Sequence, residues 1–513
     1  MAERLMGVET EYAINGMCGQ DSADRAAIVS SLLDLARALP NVRDATSSGM
    51  FLENGARLYL DTGLHVEYAT PECPNPWDAA RYVEAGHRTM LRLLEDFARG
   101  PARGVEAGCF RVNVDYCGSG ATWGCHESYL HKVDPSLLAY HLIPHLVSRI
   151  IYSGAGGFEP FSAGLRFTLS PRAAHIQQAV SSESTRARGI FHTKDEPLCS
   201  DYHRLHVLCG ENLASQRAMF VKFGATCLVV AMVEAGLEPG LGVQLASPLE
   251  ALRTVASDLT LRQPLRVERS AGMTALAIQK HYLALAEAHQ HDPFMPPWAP
   301  ALTAEWRRLL ERLEEGPAAV DRVLDWAIKL SLYSSHAGRY GLNWDRLPFW
   351  AEVTDRLLER LEIPAPDGPT FLDQVTGPNT PIPEKAANLA KLLRAKGLDW
   401  EELRRVLAER ANFLALDVRF GQLGAQGVFS QLDEAGLLDH RVPGVDNIEH
   451  AMENPPALGR ARWRGAVVKR VAGEIDGDWK CGWDRIFSRK HGRLCDLSDP
   501  FATREFWRPG PPF

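Results

Sequence analysis

The stretch MGVETEYAI places Glu9 and Glu11 two residues apart. In an extended segment successive side chains point to opposite faces, so these glutamates share one face while Val8, Thr10 and Tyr12 share the other. Two carboxylates held about 4 Å apart repel by roughly 4 kcal/mol at an effective dielectric of about 20. Either this is a half-exposed edge strand with solvated glutamates, or something positive offsets the repulsion. A second stretch, NGARLYLDTGLHVEYATPEC, adds to the pattern: Arg57, Tyr59 and Asp61 alternate onto one face, and beyond a bend at Thr62 and Gly63 come Glu67 and Glu72. Five acids in two short strand-like segments exceed what strands ordinarily carry. Carboxylate oxygens are the hard ligands magnesium prefers, and magnesium keeps waters and binds substrate phosphates. The pattern therefore points to Mg-ATP chemistry, with a divalent ion between Glu9, Glu11 and Glu67 turning repulsion into coordination.

Two histidines extend the set. GCHESYL puts His126 beside Glu127 in a turn bordered by Gly124 and Cys125, and DYHRLHVLCG puts Arg204 and His206 in an alternating segment that points both one way. Each histidine taken alone is more often a hydrogen-bonded structural residue. Near phosphate, imidazole serves as metal ligand or donor and Arg204 opposes developing charge. Arg172, Arg186, Arg188 and Lys194 are further cations, either phosphate partners or surface charges. The sequence has no GxxxxGKS phosphate loop, no GxSxG elbow and no HExxH helix, which leaves magnesium–carboxylate phosphoryl chemistry as the reading.

These residues need a framework. The chain has 513 residues, 45% hydrophobic and 23% charged, which predicts a large core with a second domain or a sizeable insertion. A formal net charge of −8 gives no basic footprint for nucleic acid. No uninterrupted apolar run approaches the ~20 residues of a membrane span, and a cytoplasmic protein is the expectation. The ten cysteines are scattered without the close pairs of a zinc site and read as free thiols. Residues 1 to about 75 read as strand, helix, strand. Helical patterns follow in YLHKVDPSLLAYHLIPHLVSRIIYSG, with Pro144 marking a bend, and in FVKFGATCLVVAMVEAG, ALAIQKHYLALAEAHQ and AEWRRLLERLEE. The stretch from 346 to 411 reads as an inserted helical pair around a Pro- and Gly-rich connection, and 446–513 as a small C-terminal domain following a catalytic domain of 1–445.

The segments MGVETEYAI, NGARLYLDTGLHVEYATPEC, GCHESYL, LSPRAAHI, HTKDEP, YHRLHV, LDWAIK and ENPPALGRARWRG, in this order, resemble the Pup ligase and Pup deamidase (depupylase) family, relatives of glutamine synthetase. The resemblance implies an α+β fold: a curved, largely antiparallel sheet that cradles ATP, backed by helices, with a small C-terminal domain. It implies that Glu9, Glu11, Tyr59, Glu67, His126 and His206 form the magnesium and ATP-phosphate set and that Asp61 is the catalytic aspartate. Arg172 and Arg204, with Lys194 and Arg57, are implied as cations near the transferred phosphate or the bound carboxylate. Lys194 stands where the family has arginine, and Ser215 replaces a family acid.

The implied activity is pupylation. ATP activates the side-chain carboxyl of the C-terminal glutamate of a small Pup-like modifier, and a target-protein lysine completes an isopeptide. A deamidase or depupylase would run hydrolysis on the same residues. Only about forty residues separate the first glutamate strand from NGARLY, which favours the ligase branch. Pro71 in VEYATPEC and the WDRIF stretch look deamidase-like. A diverged phosphatase, a small-molecule carboxylate-amine ligase, or a scaffold without activity are the remaining alternatives.

Overall fold

The structure is a computed structural model, and it describes residues 3–18, 21–46, 49–61, 63–100, 104–182, 187–192, 199, 201–269, 271–360, 362–363, 391, 394–474 and 478–510. Strands, numbered along the chain, are β1 (Met6–Cys18), β2 (Asp21–Ser22), β3 (Asn41–Arg43), β4 (Met50–Leu52), β5 (Arg57–Leu60), β6 (Val66–Ala69), β7 (Val105–Phe110) and β8 (Cys125–His131). They continue with β9 (Gly157–Phe158), β10 (Phe167–Thr168), β11 (Gln178–Ser181), β12 (Gly189–His192) and β13 (His203–Val207), and end with β14 (Trp479–Cys481), β15 (Arg485–Ser488), β16 (Arg493–Asp496) and β17 (Phe506–Pro509).

The large sheet runs β11-β12-β13-β8-β1-β6-β5-β4-β3, with β2 and β7 paired to the far half of β1. Pairing is antiparallel except between β11 and β12. The first glutamate strand is therefore the middle of the sheet and not an edge. Period-2 alternation divides it cleanly. Val8, Thr10 and Tyr12 of β1, Leu58 of β5, Val66 and Tyr68 of β6, and Leu205 and Val207 of β13 are buried on one face.

That face is covered by the helices Pro76–Arg99, Pro135–Ser148, Gln216–Glu234, Ala275–His289 and Ala299–Glu315, which share one hydrophobic core. Their ends follow the sequence signals: Asn75 caps the first, with Pro76 at its opening position, and Asp134 caps the second. Pro144 does not break its helix. The carbonyl it leaves without an N–H partner, that of Tyr140, accepts from Gln244 Nε2 at 3.5 Å, and the helix continues to Ser148. Gln216–Glu234 is long and apolar enough to cross a membrane by composition, but it is a core helix whose most apolar window is 94% buried. Ser215 is its N-cap, accepting from Ala218 N at 3.3 Å.

The smaller sheet, β14-β15-β16-β17, is antiparallel and packs with the helix Gly459–Val471. Its core includes Val42 of β3 and Phe51 of β4, so it sits against the edge of the large sheet. In the 346–411 stretch, helix Leu347–Arg360 is formed and a second helix, Trp400–Phe420, begins and runs nine residues past the expected boundary; the Pro- and Gly-rich connection at 364–390 lies outside the described residues. Asp355 anchors the first helix by accepting from Ser162 Oγ (2.7 Å) and Ala163 N (2.8 Å). The ten cysteines are all free thiols.

Candidate active site

The face of the large sheet opposite the helices collects the predicted residues. In register, Glu9 of β1 lies between His126 of β8 and Ala69 of β6, while Glu11 lies opposite Glu67, which in turn lies opposite Tyr59 of β5. His206 of β13 pairs with Ser128 of β8 on one side and His192 of β12 on the other. Strand parity thus brings two acids from β1, one from β6, the Tyr59 phenol from β5 and imidazoles from β8, β12 and β13 to a common floor.

Glu9 Oε2 is 3.5 Å from His126 Nδ1 and 3.8 Å from His206 Nε2, and its Oε1 is 3.8 Å from Arg204 Nη1. Burial alone would raise the Glu9 pKa, but His206, His126 and Arg204 together hold it well below the usual carboxylate range. Glu11 Oε2 accepts from Gly124 N at 3.0 Å and meets His65 Nδ1 at 3.3 Å, while its Oε1 is 3.8 Å from His126 Nε2. Against the cost of burial, those partners bring Glu11 down to about 2. Glu67 goes the other way. Burial and the neighbouring carboxylates of Glu9 and Glu11 push it well above its ordinary value, and Tyr59 donates its hydroxyl to Glu67 Oε1 at 2.5 Å. Tyr59, itself raised by burial and by Glu67, remains a protonated donor and joins the set through that bond. His206 is lowered to about 3 by burial, with Arg204, His126 and His192 adding to it, so its imidazole is neutral at physiological pH and has a lone pair to give.

Two buried acids, Glu11 and Glu67, with the half-buried Glu9 and neighbouring imidazoles, present oxygen and nitrogen donors of the kind that could hold a hard divalent cation. Glu9, His126 and His206 each offer one atom within 4.8 Å of the others, and so do Glu11, Asp61 and His65. Asp61 stands at the tip of the β5–β6 hairpin, where its Oδ1 accepts from His65 N at 2.6 Å.

The cations are placed at different depths. Arg204 lies on the floor beside Glu9. Arg57 shares the face, its guanidinium 3.9 Å from the Tyr59 ring centroid and its Nε 2.5 Å from Asp44 Oδ2. Arg172 is buried beneath His126, with Nη2 at 3.2 Å from the ring's Nε2 and Nη1 donating to Thr122 Oγ1 at 2.7 Å. Lys194, like Arg186, lies outside the described residues. Arg188, immediately before β12, is lowered by burial and then by Arg172, and also feels Glu11 and Asp61.

Two sequence expectations are corrected. His126 and Glu127 occupy a strand and not a turn, so alternation sends Glu127 to the helix face. Glu72 does not join the acid set, because β6 ends at Ala69 and parity ends with it. Its carboxylate is held by Arg460, at 2.6 Å from Nε, and by Arg464, both on the C-terminal helix. One residue was overlooked: His65 shares parity with Glu67 and could have been read onto the same face, although it ends a turn.

Beside the floor, a small cleft of about 80 Å³ opens between the sheets, lined by Gly7, Glu9, Ala69, Arg204, Arg460 and Trp483 among others.

Comparison with known proteins gives a consistent set. The family model described as Pup-ligase protein matches residues 4–353 and 384–487, leaving 354–383 unmatched. The chain is 30% identical over 512 residues to the Pup--protein ligase 1 of Rhodococcus erythropolis, and 36% identical over 512 residues to the Pup--protein ligase of Nocardia farcinica (strain IFM 10152). Each match covers 98% of this chain and 97% of the relative. Among solved structures it is similar to the complex between prokaryotic ubiquitin-like protein Pup and its ligase PafA, with a TM-score of 0.73, 25% identity, and 98% of this chain and 90% of that chain covered. It is also similar to the Pup ligase PafA in complex with ADP, with a TM-score of 0.64, 26% identity, and coverage of 90% and 88%.

Proposed function

The chain belongs to the Pup-ligase family, and from that premise we propose that it is an ATP- and magnesium-dependent ligase joining the C-terminal glutamate side chain of a Pup-like modifier to a lysine of a target protein. The observation that carries this reading is the floor itself: Glu9, Glu11, Glu67, His126 and His206 converge on one face of the central strands, with Asp61 projecting at the hairpin tip beside them.

Magnesium, when bound by Glu9, Glu11, Glu67, His126 and His206, supplies charge neutralisation and a template for the phosphates. Tyr59 fixes the Glu67 carboxylate by donating to one of its oxygens. Arg172 orients His126 from beneath. Arg204 and Arg57, with Lys194 by family resemblance, provide positive charge for the transferred phosphoryl group and the modifier's carboxylate.

A carboxylate is a poor electrophile and an acyl phosphate a good one, so the modifier's glutamate is first phosphorylated by ATP, releasing ADP. The lysine nitrogen then attacks the acyl carbon, the bond to phosphate breaks, and the amine's proton goes to Asp61. Asp61 is needed because a lysine amine is almost fully protonated at neutral pH. The hydrolytic alternative is not favoured: the relatives are ligases by name, and the short connection between β1 and β5 holds, among the described residues, one helix, Arg25–Ala36, and the strands β2, β3 and β4.

The test is intact-mass analysis after incubating the pure protein with Mg-ATP, a lysine-bearing acceptor and Pup-like peptides ending in Glu or Gln. A Glu-ended peptide joined to the acceptor with loss of one water supports the ligase. Conversion of Gln to Glu without any conjugate overturns it in favour of the deamidase.

A further inference from the structure

The loop that carries Asp61 is folded around that residue's own carboxylate. Asp61 N donates to His65 O at 3.0 Å and His65 N donates back to Asp61 Oδ1 at 2.6 Å, which closes the hairpin end. Leu64 adopts φ of 60°, a left-handed conformation rare for leucine, and its side chain is 67% exposed, so its packing does not repay that conformation. Gly63 is packed so closely that an added Cβ would lie 3.1 Å from Asp61 Oδ2 and 3.2 Å from the His65 ring. The effect of this turn is to swing the His65 imidazole back over the floor. There Nδ1 stands 3.5 Å from Asp61 Oδ2 and 3.3 Å from Glu11 Oε2, and the ring packs on Trp123 with centroids 5.2 Å apart. Among the described residues, His65 is the only side chain within ion-pair reach of Asp61. Glu11, by contrast, keeps Gly124 N and His126 as further partners.

Resting on the ligase reading above, we propose that His65 is a positioning residue for the amine-attack step, tying Asp61 to Glu11 so that the aspartate's Oδ2 faces the incoming lysine. It acts mainly through Asp61: Glu11, its neighbour at 3.3 Å on the phosphate side, keeps Gly124 N and His126 as partners when His65 is replaced. The amine's proton passes to the carboxylate that His65 and its backbone N–H hold in place, and a loosely held carboxylate would meet that nitrogen in the wrong geometry.

Hydroxylamine separates the two half-reactions. It is an uncharged nucleophile at neutral pH, so trapping the activated glutamate as a hydroxamate needs no base. Three proteins are compared: wild type, His65→Leu, which keeps bulk but loses Nδ1, and His65→Asn, which keeps a donor near that position. The expected result for His65→Leu is a roughly 10- to 100-fold lower kcat with a lysine acceptor and a several-fold smaller loss of hydroxamate formation. ADP affinity by calorimetry should fall far less than the lysine rate, and His65→Asn should recover part of the lysine rate. Equal loss with both nucleophiles makes His65 merely structural and overturns the proposal, as does an unaffected lysine rate. If His65→Leu is unfolded, the His65→Asn comparison decides: equal loss with both acceptors, or no loss, again overturns it. A wild-type protein that forms no conjugate overturns the ligase reading itself, an outcome distinct from either.

Discussion

Glu67 and Glu127 are both almost fully buried, at 3% and 0% exposure, on two strands that flank β1, yet they face opposite sides of the sheet. Desolvation pushes each carboxyl up, but only Glu67 ends high; Glu127 ends below its ordinary value. The difference is in the partners. Glu127 receives two bonds from Arg149 (2.6 and 2.8 Å), one from Tyr129 (2.6 Å) and the charge of Lys222 at 3.4 Å. Glu67 has a tyrosine hydroxyl and other acids. A buried acid whose countercharge comes from the chain belongs to the fold, and one whose countercharge is missing marks where an outside cation belongs.

The largest effect should come from breaking the paired side. Glu127→Ala leaves Arg149 and Lys222 buried and unpaired, which costs about 3–5 kcal/mol, read as a lowered urea midpoint with unchanged slope. If stability hardly moves, the helix face does not depend on this network. Asp61→Asn attacks the other side and should do the reverse: the midpoint stays, while the conjugation rate falls by about 10²- to 10⁴-fold and ADP affinity is retained.

Glu72 lies between these cases. It is paired like Glu127, but its partners Arg460 and Arg464 join the two sheets. Burial raises it and the two arginines more than reverse this, to about 2 from 4.5. Because the folded pKa is depressed, the stabilisation is fully present above pH 4.5 and is lost as pH falls from there toward 2. The linkage is worth about 3 kcal/mol. Urea midpoints measured from pH 7 down to 3 should fall less steeply in Glu72→Gln than in wild type; equal slopes would remove Glu72 from the acid response.

Much of the floor was legible because strand parity is a local rule. Glu9 and Glu11, Tyr59, and Arg204 with His206 follow from alternation within single segments, and their convergence follows once those segments pair. Parity fails where a strand ends, which is why Glu72 was grouped with acids it does not meet. The countercharges of Glu127 and Glu72 were not legible at all. Arg149 lies 22 residues after its partner at a helix end, and Arg460 lies 388 residues from Glu72, so only tertiary packing joins them. His126 and Glu127 show the limit most sharply: adjacent in sequence and both suited to metal ligation, they are separated by a sheet.

The smallest effect is the most discriminating, because its sign is opposite to that of Glu127. Glu67→Gln removes a carboxyl that already resists ionisation, keeps the acceptor for the Tyr59 hydroxyl and relieves the repulsion from Glu9 and Glu11. Stability without added metal should therefore hold or rise, by up to about 1 kcal/mol. Added magnesium should sharpen the contrast. A ligand that binds only the folded state raises the midpoint by an amount that grows with the logarithm of its concentration over its Kd, so with Mg-ADP the wild type should gain more than Glu67→Gln. If the variant is instead destabilised without metal and gains as much with it, Glu67 has its countercharge inside the fold, and the distinction between the two faces of the sheet is lost.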